Sequence, residues 1–407
     1  MKLWIWNGAA LVTVLGLAMA LPQLVAGEPR SRLAPYRYRI TPESAADLGF
    51  LRDRIARSPE GIDLALLAGA CLRKAKETGQ ATWIEEAEQA ARRSLEILPV
   101  SNPGATLALA RAAQMKHDFD GSIRLCDQVL RERSQESGAW SLKATALLGI
   151  GRLEEALGAI DTLVDRVPLS ENLALRAVIL ASRGEEREAV HDFKKACTVE
   201  EPGDAEGSAW LRAMWARLAL QRGRQDEADD LLQEALRIRP FHGVALGLLG
   251  DLERERGDLE AADRRYAAAY QSTSDPVFLL KRSRVRTGSS AGEFRNAALK
   301  ALREAPGHRI QLARVLLDVG TPQSDAEALA IAEDQAKTRR NAETLEVLAR
   351  ARLASGRVPE ARQAIREALR TGVLDASLHD LAAEIETRLG SASRAELHRA
   401  AAREIHP

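Results

Sequence analysis

The chain has 407 residues, and its Lys plus Arg and its Asp plus Glu totals are both 58, so its net charge is zero. A general nucleic-acid binder needs a clear excess of cations, so this balance argues against nucleic acid as a partner. Hydrophobic residues make up 45% of the chain and aromatic residues only 4%. A core built mainly from Ala and Leu favours closely packed helices over a β-sandwich.

An apolar stretch from Leu3 to Gly27 follows Lys2 at the N-terminus. Ala18-Met19-Ala20 has the small-x-small pattern of a signal-peptidase site. The stretch is also long enough to span a bilayer if it is not cleaved. We therefore predict that residues 1–27 are a signal peptide, cleaved near Ala20, or a signal-anchor transmembrane segment. The aromatic residues expected at the two membrane interfaces are Trp4, Trp6, Tyr36 and Tyr38.

The flanking residues leave the compartment open. The order of charged start, apolar run and small-residue site predicts export, which places the chain in the cell envelope facing the periplasm or the exterior. The positive-inside rule instead favours an anchored chain that faces the cytoplasm, because four arginines follow the apolar segment. These are Arg30, Arg32, Arg37 and Arg39.

Residues 28–45 contain Pro29, Pro35 and Pro42 together with several arginines. This composition predicts an extended linker between the N-terminal segment and the folded body. Its Arg and Tyr side chains either contact anionic lipid headgroups or are simply solvated.

The rest of the chain is self-similar. A Gly recurs where a helix is expected to stop, at successive spacings of 33, 39, 34, 99 and 34 residues, and 99 is close to three periods. Five residues after each Gly comes an Ala that lets two helices approach closely. The glycines are Gly151, Gly184, Gly223, Gly257, Gly356 and Gly390. The alanines are Ala156, Ala189, Ala228, Ala262, Ala361 and Ala395.

A matching first helix precedes these glycines, and Leu246-x-x-Leu249-Gly250 begins one of them. Together these positions resemble the tetratricopeptide repeat, with its pattern W-x₂-L-G-x₂-Y…A-x₃-F…P over 34 residues. The resemblance implies an all-α solenoid of about ten helix-turn-helix repeats over residues 46–407, preceded by the signal or anchor helix. Lys143 and Arg176 depart from the pattern in the usual Leu slot, and the unit near 277–306 is barely recognisable.

Tetratricopeptide arrays hold partner peptides along a concave surface lined by the first helix of each unit, so the resemblance implies a protein or peptide partner. In units two to five the inward-facing positions form an apolar strip with two arginines. Such a groove suits an extended or helical peptide with an acidic residue or a C-terminal carboxylate. The alternative is that these residues pack neighbouring repeats together. The positions are Leu107, Arg111, Leu142, Thr145, Leu148, Leu175, Val178, Met214, Arg217 and Leu220.

A basic stretch lies in the degenerate unit, where Lys281, Arg282, Arg284 and Arg286 are followed by three further cations. Residues 277–303 carry a net charge of +6. The stretch either docks an anionic partner or membrane headgroups, or is a solvated helix face paired with carboxylates elsewhere.

No pattern in the sequence predicts catalysis, a metal or a cofactor. Gly288–Gly292 matches G-x-S-x-G, but no buried strand precedes it, so we interpret it as a loop between helices. Cys71, Cys126 and Cys197 are too widely spaced for a zinc site and are expected to be buried as small apolar groups.

The sequence therefore predicts a non-catalytic scaffold that binds proteins at the cell envelope, without small-molecule substrate or nucleic acid. Such a scaffold would assist the assembly or maintenance of a membrane or cell-surface complex. The alternative is a membrane-anchored, cytoplasm-facing regulator or peptide sensor.

Overall fold

The computed structural model describes residues 36–40, 48–304 and 306–405. The chain divides into two compact units, Met1–Arg37 and Tyr38–Pro407. Of the first unit, Tyr36 and Arg37 are described. The predicted signal or anchor segment over residues 1–27 lies outside the described residues, as does most of the predicted linker. None of the helices in the described ranges is both long and apolar enough to cross a membrane.

The described part of the second unit is all-α. It contains twenty-one α-helices and one 3-10 turn at Pro306–His308, and no β-strand. In chain order the helices are α1 Leu48–Arg57, α2 Gly61–Thr78, α3 Ala81–Ile97, α4 Pro103–Met115, α5 Phe119–Glu132, α6 Ser137–Ile150, α7 Leu153–Val164, α8 Ser170–Ser182, α9 Glu186–Thr198, α10 Ala205–Gln221, α11 Gln225–Ile238, α12 Gly243–Glu255, α13 Leu259–Thr273, α14 Val277–Val285, α15 Ser289–Glu304, α16 Arg309–Val319, α17 Pro322–Gln335, α18 Ala342–Ala354, α19 Val358–Arg370, α20 Ala376–Arg388 and α21 Ala392–Ile405.

After α1, the described helices form ten successive hairpins, from α2–α3 to α20–α21. Each hairpin packs against the next, so the core runs along the array as in a solenoid. The prediction of an all-α solenoid of about ten repeats is confirmed. The degenerate unit is also a hairpin, although its first helix, α14, has only 9 residues.

The repeated small and large positions explain the packing within one hairpin. In the sixth hairpin Asp258 caps α13, and its carboxylate accepts a hydrogen bond from the Ala261 N–H at 2.9 Å. On the next turn Ala262 is fully buried, and Tyr266 follows it on the same helix face, 1% exposed. Both pack with Leu246 of α12 in one apolar cluster. The small side chain brings the two helices together, and the large one fills the space beside it.

Hairpins far apart in the sequence also touch, along a line that we call the seam. The Arg340 N–H donates to the carbonyl of Ile150 at 3.0 Å, and the Asn341 Nδ2 donates to the carbonyl of Gly149 at 2.9 Å. In the fifth hairpin, the Arg222 guanidinium donates to the carbonyl of Leu374 at 3.0 Å. These contacts join hairpins five or six apart, so one turn of the superhelix closes against the next.

His117 lies on the same seam, in the turn between α4 and α5. Its ring makes edge contacts with Phe119 and with His308, at centroid distances of 5.6 and 5.7 Å. Burial lowers the pKa of His117 to about 4, and the charge of Arg339 adds to this effect. The His117 imidazole therefore packs into the seam in its neutral form.

We expect the seam to weaken in acid because His117 binds a proton more readily in the unfolded chain. Between its unfolded pKa, about 6.5, and its folded pKa, the unfolded state holds more protons, so stability falls as the pH falls through this interval. For this partly exposed ring we expect a loss of about 2 kcal/mol. Urea unfolding across that pH range measures it. The His117→Asn variant should show a flatter profile, and an identical profile in both proteins would contradict the assignment.

Candidate functional site

The two touching turns line a half-open cavity of about 960 Å³ on the concave side of the solenoid, which we call the lumen. Its walls come mainly from the first helices of the hairpins. The third to fifth hairpins contribute α6, α8 and α10, and the eighth to tenth contribute α16, α18 and α20. A cavity of this size is at the upper end of the range of ligand pockets, so it can take a segment of another chain.

Four of the ten predicted concave residues line the lumen: Leu148, Val178, Met214 and Arg217. Leu142 and Leu175 are each 7% exposed, which agrees with the alternative that they pack repeats together. Leu107 packs against the cluster of Leu142. The other three predicted residues, Arg111, Thr145 and Leu220, are partly or fully exposed but do not line the lumen.

The opposite wall of the lumen was missed by the sequence analysis. It includes Arg314, Glu346, Arg350, Leu381 and Glu384. A signal was present, because Arg217 lies six residues before the repeat glycine Gly223. Counting six residues back from the later helix-ending glycines gives three residues of this wall. Applying the repeat pattern to the later hairpins would therefore have predicted them. They are Arg314, Arg350 and Glu384.

Most cations of the lumen are neutralised by carboxylates beside them. Arg314 contacts Glu346 at 2.6 Å, and Arg350 pairs with the same carboxylate. Burial raises the pKa of Glu346, but the two guanidinium groups outweigh it and hold that pKa below its ordinary value. The two remaining pairs are Arg284–Asp318 and Arg388–Glu384.

Arg217 differs from these arginines. Among the described residues no carboxylate forms an ion pair with it, and its side chain is exposed to the lumen. The surrounding walls desolvate the guanidinium and lower its pKa, and the more distant charge of Glu343 opposes this effect. A cation that is poorly solvated and lacks a counter-ion attracts an anionic group of a ligand.

Arg111 is in a similar state on α4. The surrounding protein partly desolvates this exposed guanidinium and lowers its pKa, Glu171 opposes the shift, and no ion pair involves it within the described ranges. It lies outside the lumen lining, so the structure does not bring the two predicted arginines into one site.

The predicted basic patch is paired with acids. Lys281 contacts Asp251 at 2.6 Å, and Arg282 and Arg286 contact Asp263 at 2.9 and 2.6 Å. Arg284 pairs with Asp318 at 2.5 Å. These contacts correspond to the second interpretation of the stretch, a helix face paired with carboxylates. Docking of an anionic partner here stays a prediction.

The other candidate residues have structural roles. The interpretation of Gly288–Gly292 as a loop is wrong for most of the motif, because α15 begins at Ser289 and Ser290 to Gly292 form its first turn. All three cysteines are buried and free, as predicted. Burial raises the pKa of the thiols to about 11 for Cys71 and Cys126 and to about 12 for Cys197. No group of three or more potential ligands in the described ranges is arranged to hold a metal ion.

These features define a class of protein, an α-solenoid of helical hairpins with a ligand-sized lumen. The recurring small and large positions, together with the stacked hairpins, confirm the resemblance to the tetratricopeptide repeat.

Two curated relatives are similar in sequence. Cellulose synthase operon protein C of Xanthomonas axonopodis pv. citri (strain 306) is 28% identical over 266 residues, which cover 56% of this chain and 17% of that protein. Photosystem I assembly protein Ycf3 of Synechococcus sp. (strain CC9605) is 32% identical over 96 residues, which cover 21% of this chain and 54% of that protein. The chain thus spans less than a fifth of one relative and about half of the other. No family model matches the chain.

Among solved structures, the human IFIT1 dimer with PPP-AAAA is similar with a TM-score of 0.47 and 14% identity, covering 89% of this chain and 95% of that chain. The APC/C hetero-tetramer Cut9–Hcn1 is similar with a TM-score of 0.41 and 12% identity, covering 88% of this chain and 90% of that chain. Similarity at this level carries no argument about ligands.

Proposed function

We propose that this chain is a non-catalytic scaffold that binds a protein partner in its lumen. The observation that carries the proposal is Arg217, which has no paired carboxylate among the described residues, whereas the other four arginines of the lumen lining are ion-paired. Apolar side chains beside it, such as Leu148 and Met214, would contact the partner's apolar groups. The partner is therefore an extended or helical segment with an acidic residue or a C-terminal carboxylate.

The proposed setting is the cell envelope, where the scaffold would assist assembly or maintenance of a membrane or cell-surface complex. The apolar N-terminal run supports this setting. The names of the two relatives, a photosystem I assembly protein and a cellulose synthase operon protein, also support a role in the assembly of such a complex. The zero net charge is the reason to propose a protein rather than a nucleic acid as the partner.

We expect the Arg217→Glu variant to lose capture of the partner, because its carboxylate would repel the anionic group. Full-length wild type and variant, each as bait for solubilised membranes, would be compared by the amount of each captured protein. The loss should be tenfold or more, roughly what a charge-assisted contact at the centre of an interface contributes.

The matched control is Arg187→Glu, which makes the same charge change at an exposed position of α9 outside the lumen lining. Circular dichroism would verify that both variants fold. A captured protein lost with Arg217→Glu and kept with Arg187→Glu supports the lumen. Equal capture by all three baits counts against it.

The second candidate is a membrane-anchored regulator or peptide sensor that faces the cytoplasm. The observation in its favour is the arginine cluster that follows the apolar segment, represented by Arg30 and Arg32. External protease applied to intact cells separates the two candidates. Degradation of the repeat body supports the exported scaffold, and protection until the membrane is opened supports the regulator.

A further inference from the structure

Tyr38 occupies a socket on the fifth hairpin. This residue lies ahead of α1, yet only 5% of it is exposed, and its contacts are with residues more than 160 positions later in the chain. The expectation that Tyr38 lies near a membrane interface is therefore wrong. Its ring is covered by the solenoid, and its hydroxyl is bonded to the main chain there.

The connection between α9 and α10 forms one side of this socket. The Tyr38 hydroxyl donates to the carbonyl of Glu201 at 3.1 Å and accepts from the Gly203 N–H at 3.1 Å. Gly203 has φ +93° and no atom within 4 Å of the position of a Cβ, so the backbone conformation is what requires glycine there. A hydroxyl that both donates and accepts distinguishes Tyr from Phe at this site.

Helix α11 forms the other side and binds the main chain of the same residue. The Tyr38 N–H donates to Glu234 Oε1 at 3.0 Å, and Arg237 Nη2 donates to the Tyr38 carbonyl at 2.7 Å. Arg237 also holds the Glu234 carboxylate, with Nε to Oε2 at 2.7 Å. The site therefore binds both the main-chain N–H and carbonyl of Tyr38 and its side-chain hydroxyl. Sites that recognise extended peptides combine main-chain hydrogen bonds with side-chain contacts in this way.

The repeat spacing gives an independent observation on the same loop. The repeat glycines Gly184 and Gly223 are 39 residues apart, whereas the usual spacing is 33 or 34. The connection after α9 contains the Glu201 and Gly203 groups that contact Tyr38. The insertion thus coincides with the socket. Next to it, Glu206 at the start of α10 contacts Lys76 of α2 at 3.5 Å, so the first hairpin meets the fifth at this place.

We propose that the α9–α10 connection and α11 form a recognition site for a tyrosine in an extended segment, and that Tyr38 of the same chain is its occupant. The segment acts as a latch. It ties the chain at Tyr38 to the fifth hairpin. This proposal does not depend on the partner of the lumen.

Hydrogen exchange on the full chain tests the latch. The Tyr38→Phe variant keeps the ring but leaves the Glu201 carbonyl and the Gly203 N–H without their partner, so exchange over residues 200–204 should quicken roughly five- to tenfold. Tyr38→Ala should quicken it further, and trypsin should then cut more rapidly after Arg37 and Arg39. The control is Glu188→Ala, an exposed change on α9. Unchanged exchange in Tyr38→Ala overturns the proposal.

A second arm separates recognition from simple packing. A synthetic peptide of residues 36–40, in large excess, should restore slow exchange over residues 200–204 in the Tyr38→Ala chain. The same peptide with Phe in place of Tyr38 should restore less. If neither peptide has an effect, or both have the same effect, the assignment of a tyrosine recognition site is overturned.

Discussion

Replacing Arg212 by Met should destabilise the protein by about 3 to 5 kcal/mol, the range for removing one partner of a buried ion pair. Arg212 lies on α10 and is 1% exposed. Its Nη2 donates to Glu200 Oε2 at 3.0 Å, its Nη1 donates to the carbonyl of Ser208 at 3.0 Å, and Glu234 lies at 4.0 Å. Met keeps much of the side-chain volume, so the expected loss comes from leaving the buried Glu200 carboxylate without its counter-charge.

The matched control is Arg52→Met, which breaks an ion pair of similar geometry at the surface. Arg52 contacts Glu86 at 2.7 Å, but the two side chains are 48% and 36% exposed. Exposed pairs contribute about 0 to 1 kcal/mol. Urea unfolding of both variants measures the difference. Equal losses would show that burial of the Arg212 network does not matter.

Gly151→Ala should cost about 2 to 5 kcal/mol, for two separate reasons. Gly151 has φ +86°, which costs an alanine about 1 to 2 kcal/mol. A Cβ there would lie 2.7 Å from the backbone N and Cα of Asn341 across the seam. That overlap with rigid main chain adds about 1 to 3 kcal/mol.

Gly356→Ala isolates the first reason, the positive φ. Gly356 has a similar φ of +72°, ends α18 in the same way, and has no atom within 4 Å of the added methyl group. It should therefore show the conformational cost alone, about 1 to 2 kcal/mol. If the two alanine variants lose the same stability, the close approach at the seam is absent in solution.

The hairpins were predictable because their pattern is local. A helix-ending Gly, an Ala such as Ala262 five residues later and a large side chain such as Tyr266 recur within each unit, and each acts on the helix beside it. The same locality explains why the inward positions Val178 and Met214 could be named from the family pattern.

The seam and the latch were not predictable from that pattern. Contact between Ile150 and Arg340 depends on small rotations summed over the five hairpins between them, which no short motif encodes. Gly151 shows the difficulty. In the sequence, helix termination alone explains a glycine at this position. Its close approach to the Asn341 backbone appears only when the neighbouring turn of the superhelix is in place. Tyr38 and Gly203 are likewise joined only in three dimensions.

The lumen has its two opposite walls only if the two turns touch, and the amide of Arg340 reports on this contact directly. Its N–H bonds to the Ile150 carbonyl, not to its own helix. Hydrogen exchange at this amide should be slowed by about a hundredfold or more relative to an unbonded amide. It should quicken in Gly151→Ala and stay slow in Gly356→Ala. Exchange of the wild-type Arg340 amide at the rate of a free amide would contradict a closed superhelix and, with it, the proposed binding site.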